Sequence, residues 1–248
     1  MPDFEITDLG SGVSFVRGRD VNWLLVREGT DLTVVDGGYP GYRAAFDASV
    51  RAVGAALGDI RAMLLTHAHI DHMGSANRLH EQHGVPVYVD PVEVAHARRE
   101  RLEQAGPADV ARVAWRPGVL PWSMRISRAG ALRHEAIPSA QPFASSGPLD
   151  VPGRPVPVAT HGHTSGHSGY LFPSAGVIAT GDALVTGHAC TRVDGPHVLP
   201  SYFNHGDPLP ALSALADVDA DQIAPGHGPA RRLPIAEAVA QARARPAG

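Results

Sequence analysis

A chain of 248 residues with 44% hydrophobic and 19% charged side chains is long enough to bury one large core. Its formal net charge of −4 excludes a broad cationic face for nucleic acid or an anionic membrane. All 21 basic side chains are Arg, which excludes Schiff-base catalysis, a pyridoxal phosphate anchor and a P-loop lysine, and the single cysteine, Cys190, excludes an intrachain disulfide.

The start, Met1-Pro2-Asp3-Phe4-Glu5, has no basic stretch leading into an apolar one, and no apolar run is long enough to span a bilayer. The expectation is one cytoplasmic domain over residues 1–248, with no membrane and no nucleic-acid partner. Residues 4–36 carry strand-like runs at 13–16, 22–26 and 31–35, separated by glycine-rich turn signals, the pattern of a β meander that ends at Asp36-Gly37-Gly38. A helix is predicted over 41–57, where Phe46, Val50 and Val53 make an inward stripe. A strand at 60–65, a helix reaching residue 83 and a strand at 85–89 follow. This alternation predicts a layered α/β domain.

Directly after the strand at 60–65, six positions hold His67, His69, Asp71 and His72. On extended chain His67 and His69 point to the same side and can share one ion. Asp71 and His72, beyond the turn at Ile70, then address a second ion nearby. The competing reading is a His-rich surface loop in which Asp71 caps a helix over 72–83.

Residues 92–147 break the alternation. Helices are expected over 92–104 and 108–115, followed by an irregular stretch punctuated by Pro117, Pro121, Pro138 and Pro142. The segment holds Trp115, Trp122 and eight Arg against five acidic residues. It fits either helices packed on the core with Arg on a solvated face, or a lid giving a substrate an apolar wall and a cationic grip.

Strands resume at 156–160, 169–172, 177–180 and 221–224. Three of their ends deliver further ligand-type residues between glycines: the segment His161-Gly162-His163-Thr164-Ser165-Gly166-His167 after the first, Asp182 at the end of the third and His227 after the last. A helix over 234–243 closes the chain. Asp36 is expected to hold a backbone amide of the His-rich loop. One of His161 and His167 is expected to support a ligand, whereas Cys190 packs as a small apolar residue. His188, His197, Tyr202, Asn204 and His205 are each expected to pack, with Tyr202 or His205 the choice if one of them touches substrate.

In this order and with these flanks, His67-x-His69-x-Asp71-His72, the Gly-His-Thr segment at His163, the Gly-Asp segment at Asp182 and the Pro-Gly-His segment at His227 resemble the metallo-β-lactamase-fold hydrolase superfamily. The resemblance spans residues 10–230 with 92–147 set aside. It implies an αβ/βα sandwich of four layers with a helical insertion, and ligands meeting along the edge where two sheets part. It assigns His67, His69 and His163 to one metal, Asp71, His72 and His227 to a second, and Asp182 to a bridge between them. Five imidazoles and two carboxylates without a thiolate suit two Zn²⁺ ions first, and Fe or Mn as well.

Two ions about 3.5–4 Å apart would hold a bridging hydroxide with its pKa lowered to near 7 and polarise a substrate carbonyl. That implies hydrolysis of a small acyl substrate, a thioester, lactone or other activated ester, with Asp71 placed to relay the proton and Asp182 as the bridge. The antibiotic-degrading branch usually has Cys or Ser at the position of Asp182, and flavodiiron proteins usually have Glu at that of His69. The set resembles glyoxalase II and the acyl-homoserine lactonases. Glyoxalase II carries a helical glutathione-binding domain after its last ligand, where this sequence has 21 residues beyond His227 (248 − 227). A mononuclear-iron persulfide dioxygenase and a nuclease-type phosphodiesterase are the alternatives on the same motifs.

Overall fold

The computed structural model of the chain describes residues 4–144, 147–191 and 193–245. Strands β1 (Phe4–Gly10), β2 (Val13–Gly18), β3 (Asn22–Glu28) and β4 (Asp31–Val35) form an antiparallel meander. On β3, Trp23 and Leu25 face a helical layer while Leu24 and Val26 face a second sheet, the two-residue alternation of a strand covered on both sides.

Helix α1 (Arg43–Ala52) returns the chain so that β5 (Ile60–Leu64) pairs parallel to β4. Helix α2 (Ala76–His83) then returns it to β6 (Val87–Val89), parallel to β5. Phe46, Val50 and Leu79 from these helices pack on Trp23, Val34 and Met63. Each aliphatic or aromatic side chain of that size stabilises by roughly 1.5–3 kcal/mol when buried.

Between β6 and β7 (Ala140–Pro142) lie three helices, α3 (Val94–Ala97), α4 (Pro107–Ala111) and α5 (Val119–Ala129). The second sheet contains β8 (Val156–Ala159), β9 (Ser168–Phe172), β10 (Val177–Gly181), β11 (Gln222–Pro225) and β12 (Arg231–Arg232), in the order β12-β11-β10-β9-β8. Phe15, Leu24, Val35 and Leu64 of the first sheet meet Tyr170, Phe172, Val177 and Ala224 of the second. Helices α6 (Leu209–Ala216) and α7 (Ile235–Arg243) cover the far face through Leu212, Leu215, Ala238 and Val239. The layers therefore run helix, sheet, sheet, helix, the sandwich expected from the sequence. Among the described residues no helix is long and apolar enough to cross a membrane.

Several expected elements differ. Helix α1 ends at Ala52 rather than 57, because Gly54 takes a left-handed φ of +75° and turns the chain out. Helix α2 begins at Ala76 rather than 72. Gly74 lies so close to the Tyr39–Pro40 backbone that a Cβ would collide with it, and residues 70–75 are spent in turns that leave Asp71 and His72 free to point away from the helix.

The largest departure is at 92–104. Only Val94–Ala97 is helical, since Arg99 adopts a φ of +60° and the chain beyond it runs irregularly across the His-rich loop. Conversely, α5 forms where an irregular stretch was expected. Its Pro121 sits in the first turn, where the missing N–H costs nothing, and Val119, Trp122, Ile126 and Ala129 supply the buried face. The end of the 92–147 segment is also not helical: β7 pairs with β6 as the outermost strand of the first sheet. Residues 145–146 of that segment lie outside the described residues.

Candidate metal centre

Strands β5, β8, β10 and β11 end on the same edge of the sandwich, and the loops beyond them carry every ligand-type residue picked out from the sequence. Loops after strand C-termini line a crevice where side chains from distant parts of a chain converge. The rings of His67, His69 and His163 lie with centroids 4.4–4.7 Å apart, and His163 Nε2 is 3.1 Å from His69 Nδ1. Asp71, His72 and His227 form the adjoining group, with His227 Nε2 3.4 Å and His72 Nε2 3.8 Å from Asp71 Oδ2. Asp182 lies between the groups. Its Oδ1 is 3.5 Å from His72 Nε2, and its Oδ2 is 3.2 Å from His227 Nε2 and 3.6 Å from His163 Nε2.

Close backbone approach makes this possible. A Cβ at Gly226 would overlap the Asp182 carboxylate, and one at Gly181, whose φ is +50°, would lie 2.6 Å from His167 Nε2.

Each of the five imidazoles points one nitrogen inward and gives the other to an oxygen. His69 Nε2 donates to the Glu103 carbonyl at 2.6 Å and His227 Nδ1 to the Asp20 carbonyl at 2.7 Å. His72 Nδ1 donates to Asp36 Oδ2 at 2.9 Å. The Thr66 hydroxyl gives its own proton to Asp36, so its oxygen accepts from His67 Nδ1 at 3.0 Å. Asn204 Oδ1 accepts from His163 Nδ1 at 3.1 Å, and its amide nitrogen donates to the Leu199 carbonyl. Because carbonyls and carboxylates can only accept, these contacts fix which nitrogen of each ring faces inward, five in all, each able to coordinate once it carries no proton.

This inward face fits a cation. Among the described residues His67 Nε2, His72 Nε2 and Asp182 Oδ1 are buried without any hydrogen-bond partner. Buried polar atoms are seldom left so unless a group outside the polypeptide satisfies them. Three sets of ligand atoms, His67/His69/His163, His67/His72/Asp182 and Asp71/His72/His227, each lie within 4.8 Å of one another. Neutral nitrogens and ionised oxygens in this number suit a divalent ion.

The electrostatics divide the two groups. Burial pushes His67, His69 and His163 below the ordinary imidazole value. Burial also acts against charge on His72 and His227, but the carboxylates outweigh it. Asp71, Asp182 and Asp36 hold His72 up to about 9, and Asp182 and Asp71 hold His227 well above its usual value. Burial would raise both acids, yet the neighbouring imidazoles keep Asp71 and Asp182 well below the usual carboxylate range.

Other residues picked out from the sequence fall as follows. Asp36 accepts the Thr66 N–H at 2.9 Å, as expected, and in addition orients His72. His167 accepts the Asp182 N–H at 3.0 Å and supports that residue from behind, while His161 reaches only Asp90, at 3.4 Å. Trp122 is buried and lines a cleft of about 370 Å³ beside the centre, together with Arg19, Arg125 and His188. None of the seven clustered residues lines that cleft, which meets the centre through His188, whose ring lies 4.9 Å from that of His227. Burial pushes His188 down to about 3.

Trp115 does not belong to the cleft wall. It is 77% exposed, with its indole N–H turned back to the Arg112 carbonyl, because α4 ends too early to bring it inward. Tyr202 packs on Phe203 away from the cleft, and His205 is exposed, with Nε2 3.7 Å from Glu103. In that loop it is Asn204, expected only to pack, that orients a clustered imidazole. Two buried carboxylates, Glu93 and Glu103, were not singled out from the sequence at all. A charged residue on an expected helix gives no sign that it points inward, and an Ala68 amide as partner leaves no signal in the sequence.

The family model of the metallo-beta-lactamase superfamily matches residues 16–227. The probable metallo-hydrolase YflN of Bacillus subtilis (strain 168) is 24% identical over 249 residues, covering 92% of this chain and 90% of that protein. The metallo-beta-lactamase family protein TTHA1429 from Thermus thermophilus superposes with a TM-score of 0.64 at 22% identity, over 97% of this chain and 78% of that one. A HARLDQ-motif mutant of a Cronobacter sakazakii metallo-beta-lactamase gives a TM-score of 0.67 at 16% identity, over 96% and 92%. At these identities the structural likenesses speak for the fold.

Proposed function

This chain belongs to the metallo-β-lactamase superfamily, and on that premise we propose that it hydrolyses a thioester, lactone or other activated ester of a small acyl compound, with two divalent cations, Zn²⁺ in first place, held by the seven clustered side chains. The observation that carries the proposal is the set of partnerless buried atoms, His67 Nε2, His72 Nε2 and Asp182 Oδ1, all turned to one point among ligand-type neighbours. When bound, two such cations lower the pKa of a shared water towards neutrality and polarise a carbonyl oxygen.

The polypeptide's own part is orientation and proton handling. His67, His69 and His163 would hold one cation, Asp71, His72 and His227 the other, and Asp182 would be shared between them. Asp71 is the acid nearer to solvent, with a side chain 16% exposed against 5% for Asp182. Its ionised carboxylate is the group in the centre suited to relay a proton to a leaving group, at the oxygen it does not give to the cation. A carboxylate at 182 in place of a thiolate or hydroxyl supports the ester reading over a β-lactam one. Cys190 is in none of the clustered ligand sets, and burial raises its thiol to about 11.

The test is elemental analysis of the purified protein beside a panel of thioesters, lactones, β-lactams and phosphodiesters. Two metal ions per chain with turnover of an ester-type substrate is the expected result. Cleavage of phosphodiesters alone, or oxygen uptake with a persulfide in an iron-loaded protein, would overturn the assignment.

A further inference from the structure

Segment 93–103 touches the centre from outside, and no part of the proposed chemistry uses it. Its first residue, Glu93, is fully buried, and both its oxygens are occupied by donors from two separate ligand loops. Oε1 accepts the Ala68 N–H at 2.8 Å and His96 Nδ1 at 2.9 Å, and Oε2 accepts the Thr164 hydroxyl at 2.8 Å and the Gly166 N–H at 3.1 Å. Ala68 lies between His67 and His69, and Thr164 follows His163. One carboxylate thus ties together the two loops that supply the first triad.

The rest of the segment repeats the contact. Arg99 donates to the Ala68 carbonyl at 2.9 Å, so that residue is gripped at both its N–H and its C=O. Glu103 Oε2 accepts the Ser165 N–H at 2.6 Å and Oε1 the Ser165 hydroxyl at 2.8 Å, while the Glu103 carbonyl fixes His69. Gly166 has no room for a side chain, since a Cβ there would strike the Glu93 backbone. None of these contacts reaches Asp71, His72 or His227; Asp36 orients His72 and the Asp20 carbonyl orients His227.

We propose that Glu93 and Glu103 are positioning residues for the His67/His69/His163 triad alone, making segment 93–103 a brace that sets the affinity of one cation site and leaves the other to the sheet. The proposal rests on the two-cation reading above. Physically, three imidazoles on two loops form a tight site only if the loops are held in register before the ion arrives. A Gln at 93 keeps the volume but sets an NH₂ against the Ala68 or the Gly166 N–H, so one of these amides loses its acceptor; at 103 a Gln would still serve both the N–H and the hydroxyl of Ser165, so Ala is the change that removes that contact.

The experiment is a stepwise titration of cobalt(II) into metal-free protein, followed by visible absorption and by competition with a chelator. The unaltered protein should take up two ions per chain. In Glu93→Gln and Glu103→Ala, one ion should weaken by roughly 10–100-fold, with a changed absorption band, while the other keeps its affinity. Ser165→Ala should shift the same ion by less. Circular dichroism of the metal-free variants checks the fold; if Glu93→Gln does not fold, Glu103→Ala and Ser165→Ala decide the matter.

Equal weakening of both ions, or unchanged affinity for both, in folded variants overturns the brace while leaving the two-cation reading standing. Uptake of fewer than two ions by the unaltered protein brings down both.

Discussion

The two halves of the centre differ in what holds them. The Asp71/His72/His227 half leans on the rim of the first sheet: Asp36, one residue past β4, and the Asp20 carbonyl in the turn between β2 and β3 take its outward ring nitrogens. The His67/His69/His163 half leans on chain without regular structure, the Glu103 carbonyl and the Asn204 side chain, with Glu93 stitching its loops. Charge divides in the same way, because three carboxylates surround His72 whereas burial leaves His67, His69 and His163 neutral. One half is therefore held by the rim of the meander and is proton-loaded, while the other is held by the segment at 93–103 and by Asn204 and is ready to coordinate.

Asp182 lies within reach of both halves, so its loss should have the largest effect. Asp182→Ala is expected to reduce kcat/KM by roughly 10³-fold or more, about 4 kcal/mol of transition-state stabilisation, and to lower the uptake of both cations. Elemental analysis beside the ester assay checks this, and full activity in a metal-free Asp182 variant would remove the mechanism altogether. The next largest effects should separate the halves. His69→Ala and His72→Ala should each abolish turnover and each leave one cation bound. Identical stoichiometry and absorption spectra in the two variants would mean that the halves are not distinct.

How much of this was visible beforehand follows the same division. His67, His69, Asp71 and His72 fall within six positions, and Asp182 and His227 each follow a strand, so local pattern and strand ends pointed to them, while the family resemblance chose His163 from its neighbours His161 and His167. Asp36 could be named too, because a strand ending in Asp-Gly-Gly before a helix signals a turn beside the sheet edge. Glu93, Arg99 and Glu103 gave no such sign. Helical propensity over 92–104 predicted a solvated charged face, and it was overruled by hydrogen bonds to Ala68, Ser165 and Gly166, partners that lie in one earlier loop and in another far later in the sequence. Helix α5 shows the opposite case: its buried spacing at 119, 122, 126 and 129 was present in the sequence, but the prolines around it masked the pattern.

Asp36→Asn sharpens the comparison from the sheet side. It leaves His72 Nδ1 facing an amide and removes the acceptor for the Thr66 hydroxyl, which in turn supports His67. Metal affinity should fall about 10–100-fold, with the ion at His72 affected more than the ion reached through Thr66. Cobalt titration separates the two, and a larger loss at the His67 ion would reverse the assignment of Asp36.

The charge difference predicts a pH signature. Coordination needs neutral imidazole, and His72 is held up to about 9 in the metal-free protein, so cation uptake there displaces a proton below that pH. Affinity of that half should climb by about tenfold per pH unit for each proton displaced as pH rises from about 6.5 to about 9, and the other half should stay flat over the same window. The same raised pKa means that the charge on His72 stabilises the metal-free fold fully below about pH 6.5, its unfolded value, and that this contribution is lost by about pH 9. Melting of metal-free protein should therefore drop across this range while zinc-loaded protein does not follow it. A pH-independent uptake of both ions would place the carboxylates elsewhere.

The smallest effect tests how far the bracing role extends along its own segment. Trp115 shares the inserted stretch with Glu93 and Glu103, yet it is 77% exposed and its indole N–H is satisfied by the Arg112 carbonyl just beyond α4. A solvated side chain with no partner across the cleft has little to lose, so Trp115→Ala should change stability by less than about 0.5 kcal/mol and leave KM and metal content unchanged. Were KM to rise severalfold with stability intact, the outer helices would be reaching substrate in a closed arrangement, and the segment would act as brace at its start and lid at its middle.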